Sequence, residues 1–280
     1  MNNPFSIVTL VKGRHRQLAN LLHSIECSSI KPRDIVIVWM DERNEQNKAP
    51  YGKITQTELY ISESGLPLAK ARNLGLKSAK EDIAIFVDVD CICSPTLFES
   101  LLKRCAPQRV VSAKARYLCD VPSSGNYKAL ADKAVIHPKR DVLVTDVPSN
   151  FKSFWSLIFA ISRDDFMSVG GFDESFTGYG AEDTDFAMKC EKREMELIYV
   201  EDYVLHQYHD KFTPPINHAQ DICKNANVFA KKWGFLPMYT WLTTLSDMGF
   251  VKIDEVNKRV ELMRVPCDDE IEACRSSNPF

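Results

Sequence analysis

This chain lacks several features, and each absence narrows what the protein can be. No apolar stretch approaches the roughly 20 residues that a bilayer-crossing helix needs. The first residues show no charged-then-apolar secretory pattern. A soluble, cytoplasmic protein is expected, with peripheral membrane contact left open. There is no excess of positive charge either. A formal charge of −3 and a pI near 6.1 give no electrostatic footing for nucleic-acid binding. The cysteines number nine and include no Cys-x-x-Cys pair, which argues against a zinc ribbon or disulfide framework and for a reducing compartment. Near the start only Gly13 could contribute to a phosphate-cradling glycine loop, too little for a sugar nucleotidyltransferase.

What is present is a strand–helix alternation. At 280 residues and 45% hydrophobic content the chain can bury one large core or two small ones. Ser6–Val11 and Ile35–Met40 read as buried strands and Glu58–Ile61 as a shorter one, with a polar loop over Glu45–Lys53. Leu18, Leu21, Leu22 and Ile25 share one helix face. Pro67 opens a helix running to Lys80, and Pro95 opens another bearing Leu97, Phe98, Leu101, Leu102 and Cys105. Such alternation means βαβ units and a parallel sheet. After residue 120 the pattern loosens into loops and short helices over Val121–Lys152. Strands follow at Phe154–Ile161, Leu197–Val200 and Tyr203–Tyr208, with helices at Glu182–Glu194, His218–Trp233 and Leu236–Met248, then a hairpin of Val251–Ile253 with Val260–Met263. The expected division is a 1–235 domain, its donor half ending near 120 and its acceptor half spanning 121–235, and a 236–280 extension packed on it.

The run Ile83–Asp90 carries the strongest chemical signal: five apolar residues leading into Asp88 and Asp90. In α/β sheets ligands collect at the carboxyl ends of strands. If the strand continues through both acids, they point the same way, and two such carboxylates need a cation to stay ionised. A divalent metal with substrate phosphate as a further ligand follows. The plain alternative is a solvated strand-to-helix turn. Cys91 and Cys93 flank the pair, but cysteine is commonly just a small buried hydrophobe.

Three further features stand beside it: Lys70-Ala71-Arg72-Asn73 on the preceding helix, Gly178-Tyr179-Gly180-Ala181-Glu182-Asp183, and His206 with His209. In this order they resemble the GT-A glycosyltransferases, particularly the family-2 type. Leu68 to Gly75 followed by Ile83–Asp90 looks like that family's Ala-Arg-Asn-x-Gly helix and Asp-x-Asp strand. Gly170-Gly171-Phe172-Asp173-Glu174 through Asp183 resembles the acceptor loop of the β-1,4-galactosyltransferase C-terminal region and of chondroitin-type polymerases. The likeness covers roughly residues 5–215.

The resemblance implies an α/β GT-A fold with a mixed, mostly parallel central sheet. It also implies an inverting, metal-dependent hexosyl transfer from a nucleotide sugar, UDP-sugar favoured, to a hydroxyl of a glycan or glycolipid in surface polysaccharide synthesis. Mn²⁺ or Mg²⁺ would be anchored by Asp90, with Asp88 at the metal or ribose and His206 or His209 as third ligand, His206 favoured. Asp41, Arg72 and Gly180 fall on the donor side. Asp183 would be the general base and Glu182 would orient the acceptor, while Asp185 reads as a first-turn dipole partner. Galactose or an N-acetylhexosamine is the favoured sugar. Departures are plain: the first strand exits through Val11-Lys12-Gly13-Arg14, the second through Met40-Asp41-Glu42, and the acceptor loop has Gly-Tyr-Gly-Ala in place of a tryptophan-rich stretch. A non-catalytic carbohydrate- or nucleotide-sugar-binding protein is the alternative from another class. A haloacid-dehalogenase-like phosphatase fits less well, because it would carry Thr or Val two residues after the second Asp and place the motif near the chain start.

Overall fold

The computed structural model describes residues 4–279 apart from Tyr51 and Ser64. Residues 1–3 of the expected 1–235 domain, Tyr51 of the expected loop and Phe280 of the expected extension lie outside the described residues. The first half runs β1 (Phe5–Val11), α1 (His15–Glu26), β2 (Asp34–Trp39), β3 (Thr55–Tyr60), α2 (Leu68–Ser78), β4 (Ile83–Val87), β5 (Cys91–Cys93) and α3 (Leu97–Arg104). There follow β6 (Arg109–Tyr117), α4 (Tyr127–Leu130), β7 (Val135–Ile136), α5 (Pro138–Asp141) and β8 (Pro148–Ser149). Next come β9 (Ile158–Ser162), α6 (Arg163–Val169), α7 (Glu182–Lys192) and β10 (Glu196–His206). The chain then forms α8 (Ala219–Trp233), α9 (Tyr239–Asp247), the hairpin β11 (Val251–Asp254) with β12 (Arg259–Leu262), and α10 (Asp268–Ala273).

Among the described residues one ten-stranded sheet organises the chain, in the order β3-β2-β1-β4-β9-β6-β10-β5, with β7 on β6 and β8 on β10. The strands β1 to β4 pair in parallel, as do β6 and β10, while β9 lies antiparallel between β4 and β6. β1, β2 and β4 are buried along their whole length, as expected for apolar strands covered on both faces. One core layer sets α1 and α3 against the sheet, and the other sets α2, α6 and α7 there. Gly75 lets α2 approach closely, since a Cβ there would lie 2.4 Å from Val8 Cγ1.

Several expected boundaries move. β4 ends at Val87, and Asp88-Val89-Asp90 forms a turn into β5, so the two acids are not alternate positions of one strand. The Phe154–Ile161 strand starts only at Ile158, because Phe151–Ser153 makes a helical turn first. The two strands expected around residue 200 are one, β10, whose register shifts between Val200 and Tyr203. The helix expected from Leu236 begins at Tyr239. β6 escapes a sequence reading because Arg109, Lys114 and Arg116 interrupt its apolar run, although most of the strand is buried. α6 did carry punctuation: Ser162 caps its first turn and Gly170, at φ +81°, ends it.

Beneath α7 lies an aromatic cluster. Phe172 and Phe186 stack at 4.4 Å, and Phe154, Phe159 and Phe166 surround Phe186 at 5.8–6.1 Å. This packing fixes the helix whose first turn carries Glu182 and Asp183. Phe186→Ala would leave a cavity in that cluster, and such truncations cost about 3–5 kcal/mol. Urea denaturation of the variant should show a loss of that size, and a change below about 1 kcal/mol would mean that the cluster does not anchor α7.

Candidate active site

The carboxyl ends of β1, β2 and β4, the first turn of α7, the end of β10 and the start of α9 enclose a cleft of about 780 Å³. On one wall the turn after β4 carries Asp88, which faces the cleft, and Asp90, which is fully buried. His206 ends β10 opposite Cys91 of β5, an antiparallel pairing that carries the imidazole back to the acidic turn. Ligand atoms of Asp90, His206 and His209 all lie within 4.8 Å of one another. Asp88 stands outside this trio.

Among the described residues Asp90 has no hydrogen bond on either carboxylate oxygen. The guanidinium of Arg14, from the turn after β1, pairs with it. A buried carboxylate left in this state is costly. Burial drives the His206 imidazole well below its ordinary range, with the nearby His209, Arg14 and Lys211 adding to the effect. Burial and then Arg14 lower His209 in the same sense. Neutral imidazoles beside a carboxylate make a donor set suited to a divalent transition metal. His209 Nδ1 sits 2.9 Å from the carbonyl oxygen of Asp210, which assigns the ring proton to Nδ1 and leaves Nε2 facing Asp90 at 4.0 Å. Cys91 and Cys93 are buried free thiols; burial lifts Cys91 far above its usual range and Cys93 to about 12. They pack in the core as small hydrophobes.

The opposite wall is built by α2 reaching across to the segment that leads into α7. Arg72 Nη1 donates to Glu182 Oε1 at 2.9 Å, both side chains buried, with the guanidinium over the rings of Phe86 and Phe172. Asn73 Nδ2 donates to the Phe172 carbonyl and Asn73 Oδ1 accepts from the Phe172 amide, each at 2.8 Å. Arg72 and Glu182, expected on donor and acceptor respectively, thus hold each other while lining the cleft.

Asp183 follows, half-buried and facing the cleft, with Oδ1 accepting from the Thr184 amide at 2.7 Å. Burial and then Glu182 raise its carboxyl to about 6. Gly178 and Gly180 shape the lead-in: φ is +74° and +98°, and a Cβ would strike Asp221 and Met238 Sδ respectively. Asn225 of α8 donates to the carbonyls of Thr177, Tyr179 and Gly180 and so ties the loop down. Asp185, read from sequence as a dipole partner, is instead buried and accepts from Trp233 Nε1 and Lys232 Nζ, joining α7 to α8. Asp41 lies one residue beyond the cleft-lining Met40 and is half-buried.

Comparison with known proteins now bears on this arrangement. The sequence profile of glycosyltransferase like family 2 matches residues 41–216. The chain belongs to that family. A curated relative, the validoxylamine A glucosyltransferase of Streptomyces hygroscopicus subsp. limoneus, is 22% identical over 269 residues, covering 85% of this chain and 59% of its own length. The chain therefore spans about three fifths of that relative. Among solved structures, GalNAc-T7 with UDP, GalNAc and Mn²⁺ superposes with a TM-score of 0.56 at 16% identity, over 74% of this chain and 43% of its own. The mannosyltransferase PcManGT of Pyrobaculum calidifontis, in complex with GDP-Man and Mn²⁺, gives 0.54 at 16% identity, over 88% and 76%. S. aureus TarS 1–349 gives 0.54 at 15% identity, over 88% and 71%. The fold of this family-2 chain is GT-A. No helix among its described residues is long and apolar enough to cross a membrane.

Sequence reasoning gave no role to Arg14, Lys211 or the segment Met238–Trp241, all of which line the cleft. Arg14 had a usable signal, a cation at the carboxyl end of a buried strand. The α9 residues had none, since only the fold brings them over the acceptor loop, where Trp241 stacks with Tyr179 at 5.8 Å. The Arg72–Glu182 pair makes a stability prediction. Removing one partner of a buried ion pair typically costs about 3–5 kcal/mol, so Arg72→Ala should lower unfolding stability by that amount in chemical denaturation. A loss under about 1 kcal/mol would show that Glu182 does not depend on Arg72.

Proposed function

We propose that this chain is a metal-dependent, inverting glycosyltransferase that moves a hexosyl group from a nucleotide sugar to a hydroxyl of a glycan or glycolipid acceptor. The observation that carries this reading is one cleft lined on one side by His206 and His209, with Asp90 behind them, and on another by Asp183. Asp90, His206 and His209 would hold Mn²⁺ or Mg²⁺, and Asp88 would serve the metal or the ribose. A divalent cation held there would neutralise charge growing on the leaving diphosphate. Family membership and the UDP and GDP-Man complexes of the structural neighbours support a nucleotide-sugar donor. A UDP-sugar bearing galactose or an N-acetylhexosamine is favoured, and the name of the curated relative adds glucose to the set worth testing. Surface polysaccharide synthesis is the role in view.

Asp183 takes the proton from the acceptor hydroxyl as its oxygen forms the new bond to the anomeric carbon. The bond from that carbon to the diphosphate oxygen breaks, and its electron pair leaves with the nucleoside diphosphate. A base on the acceptor side implies attack opposite the leaving group, so an α-linked donor gives a β-linked product. Glu182, held by Arg72, would orient the acceptor. Arg72, Gly180 and Asp41 would contact the donor.

Two experiments test this. Asp90→Ala should abolish Mn²⁺-dependent UDP binding in calorimetry, and His206→Ala should weaken it more than His209→Ala does. Unchanged affinity in Asp90→Ala would place the metal elsewhere, and the reverse histidine order would reassign the third ligand. The second concerns Asp183, which must be ionised to accept a proton. Its carboxyl is raised to about 6, so the rate should fall as pH drops through about 6 and level off above it. Asp183→Asn should lose about 10²–10⁴-fold in kcat with little change in donor affinity. A near wild-type rate in that variant, or retained anomeric configuration by proton NMR, would rule out Asp183 as base of a single displacement.

A further inference from the structure

The loop after β10 carries His209 and Lys211 into the cleft, and it does not stand alone. The extreme C-terminal segment lies against it as an added strand-like strap. Phe212 and Arg275 form an antiparallel bridge, the Thr213 amide donates to the Cys274 carbonyl, and the Ser276 amide donates to the Lys211 carbonyl, both at 2.9 Å. Arg275 adds side-chain contacts: Nη1 pairs with Asp210 Oδ1 at 2.8 Å, and the guanidinium lies 5.3 Å above the Phe212 ring. Phe212, Ile271 and Cys274 pack on the same hydrophobic cluster, formed by α8, α9 and the β11–β12 hairpin.

A continuous path leads from this strap to the metal corner. Arg275 holds the Asp210 side chain. The Asp210 carbonyl faces His209 Nδ1 at 2.9 Å and so orients the ring. His209 Nε2 faces Asp90. Partners of this kind, one step behind a metal ligand, set its tautomer and direction. We propose that the 272–276 segment is a clasp on the 207–213 loop, with Arg275 acting as a positioning residue for His209 and for Lys211. The segment lies beyond the 41–216 family match.

The proposal rests on the reading that Asp90, His206 and His209 hold a divalent cation, and its test separates the two. The full chain, Arg275→Ala, Arg275→Lys and Asp210→Asn would be titrated with Mn²⁺ by calorimetry. Each would also be digested briefly with a lysine-specific protease, scoring cleavage at Lys211 by mass spectrometry. Outer partners of metal ligands are worth about 10–100-fold in affinity. Arg275 acts one step further out through an exposed pair, so Arg275→Ala and Asp210→Asn should each weaken Mn²⁺ by about 3–10-fold. Both should be cut faster at Lys211, with Arg275→Lys restoring part of each effect. Wild-type affinity together with a wild-type cleavage rate in both variants would overturn the clasp. If the full chain binds no Mn²⁺, the metal reading fails, and the Lys211 cleavage rates alone judge the clasp. Asp210→Asn changes an exposed side chain, so it guards against an Arg275 variant that merely folds poorly.

Discussion

The buried pair of Arg72 and Glu182 is the joint on which the cleft depends. It connects α2, which belongs to the parallel wind, with α7, which belongs to the second half of the chain. Asn73 reinforces it one residue along by satisfying both backbone groups of Phe172. A buried ion pair is not a strong source of net stability, because both charges were desolvated to make it. Its value here is geometric. Arg72 over two phenylalanine rings leaves Glu182 one well-matched partner, and α7 is thereby fixed with Asp183 facing the cleft. The same Glu182 charge, after burial, helps keep the Asp183 carboxyl high. Arg72 acts against that rise, so the pair serves the position of the proposed catalytic carboxylate, whereas burial and Glu182 serve its basicity.

The opposite corner follows different physics. Asp90 is fully buried, its oxygens have no hydrogen bonds, and Arg14 is the cation in contact with it. Electrostatics of this kind calls for positive charge, and two imidazoles kept neutral by burial stand beside it. The 207–213 loop, with the strap laid across it, decides how firmly His209 belongs to that corner.

The loop before α7 shows why residues past the family match matter. Gly178 and Gly180 are required by backbone angle and by the nearness of Asp221 and Met238, so the loop is shaped to fit α8 and α9. Tyr179 lies between His218 and Trp241, with stacking distances of 4.5 and 5.8 Å. The sequence departs from the tryptophan-rich acceptor loop of the galactosyltransferases at this point, and aromatic surface comes instead from the C-terminal segment.

What the sequence determined by itself was local and chemical. Buried apolar runs defined β1, β2 and β4, and spacing of Leu18, Leu21, Leu22 and Ile25 defined α1. Ordered motifs pointed to Asp90, His206, His209 and Asp183 before any were seen together. Tertiary structure decided how they meet. Alternation along a strand would have aimed Asp88 and Asp90 alike, but the strand ends at Val87, and the turn sets Asp90 beside the two histidines and Asp88 on the cleft wall. Asp185 looked like a dipole partner from its place in a first turn, yet long-range packing gave it to Trp233 and Lys232. Arg14, Lys211, Trp241 and Arg275 carry no periodic signal that marks them, because their neighbours are distant in sequence. Local pattern follows from backbone periodicity and burial, whereas a cleft is a set of long-range contacts that only the assembled sheet and its packed helices bring within reach.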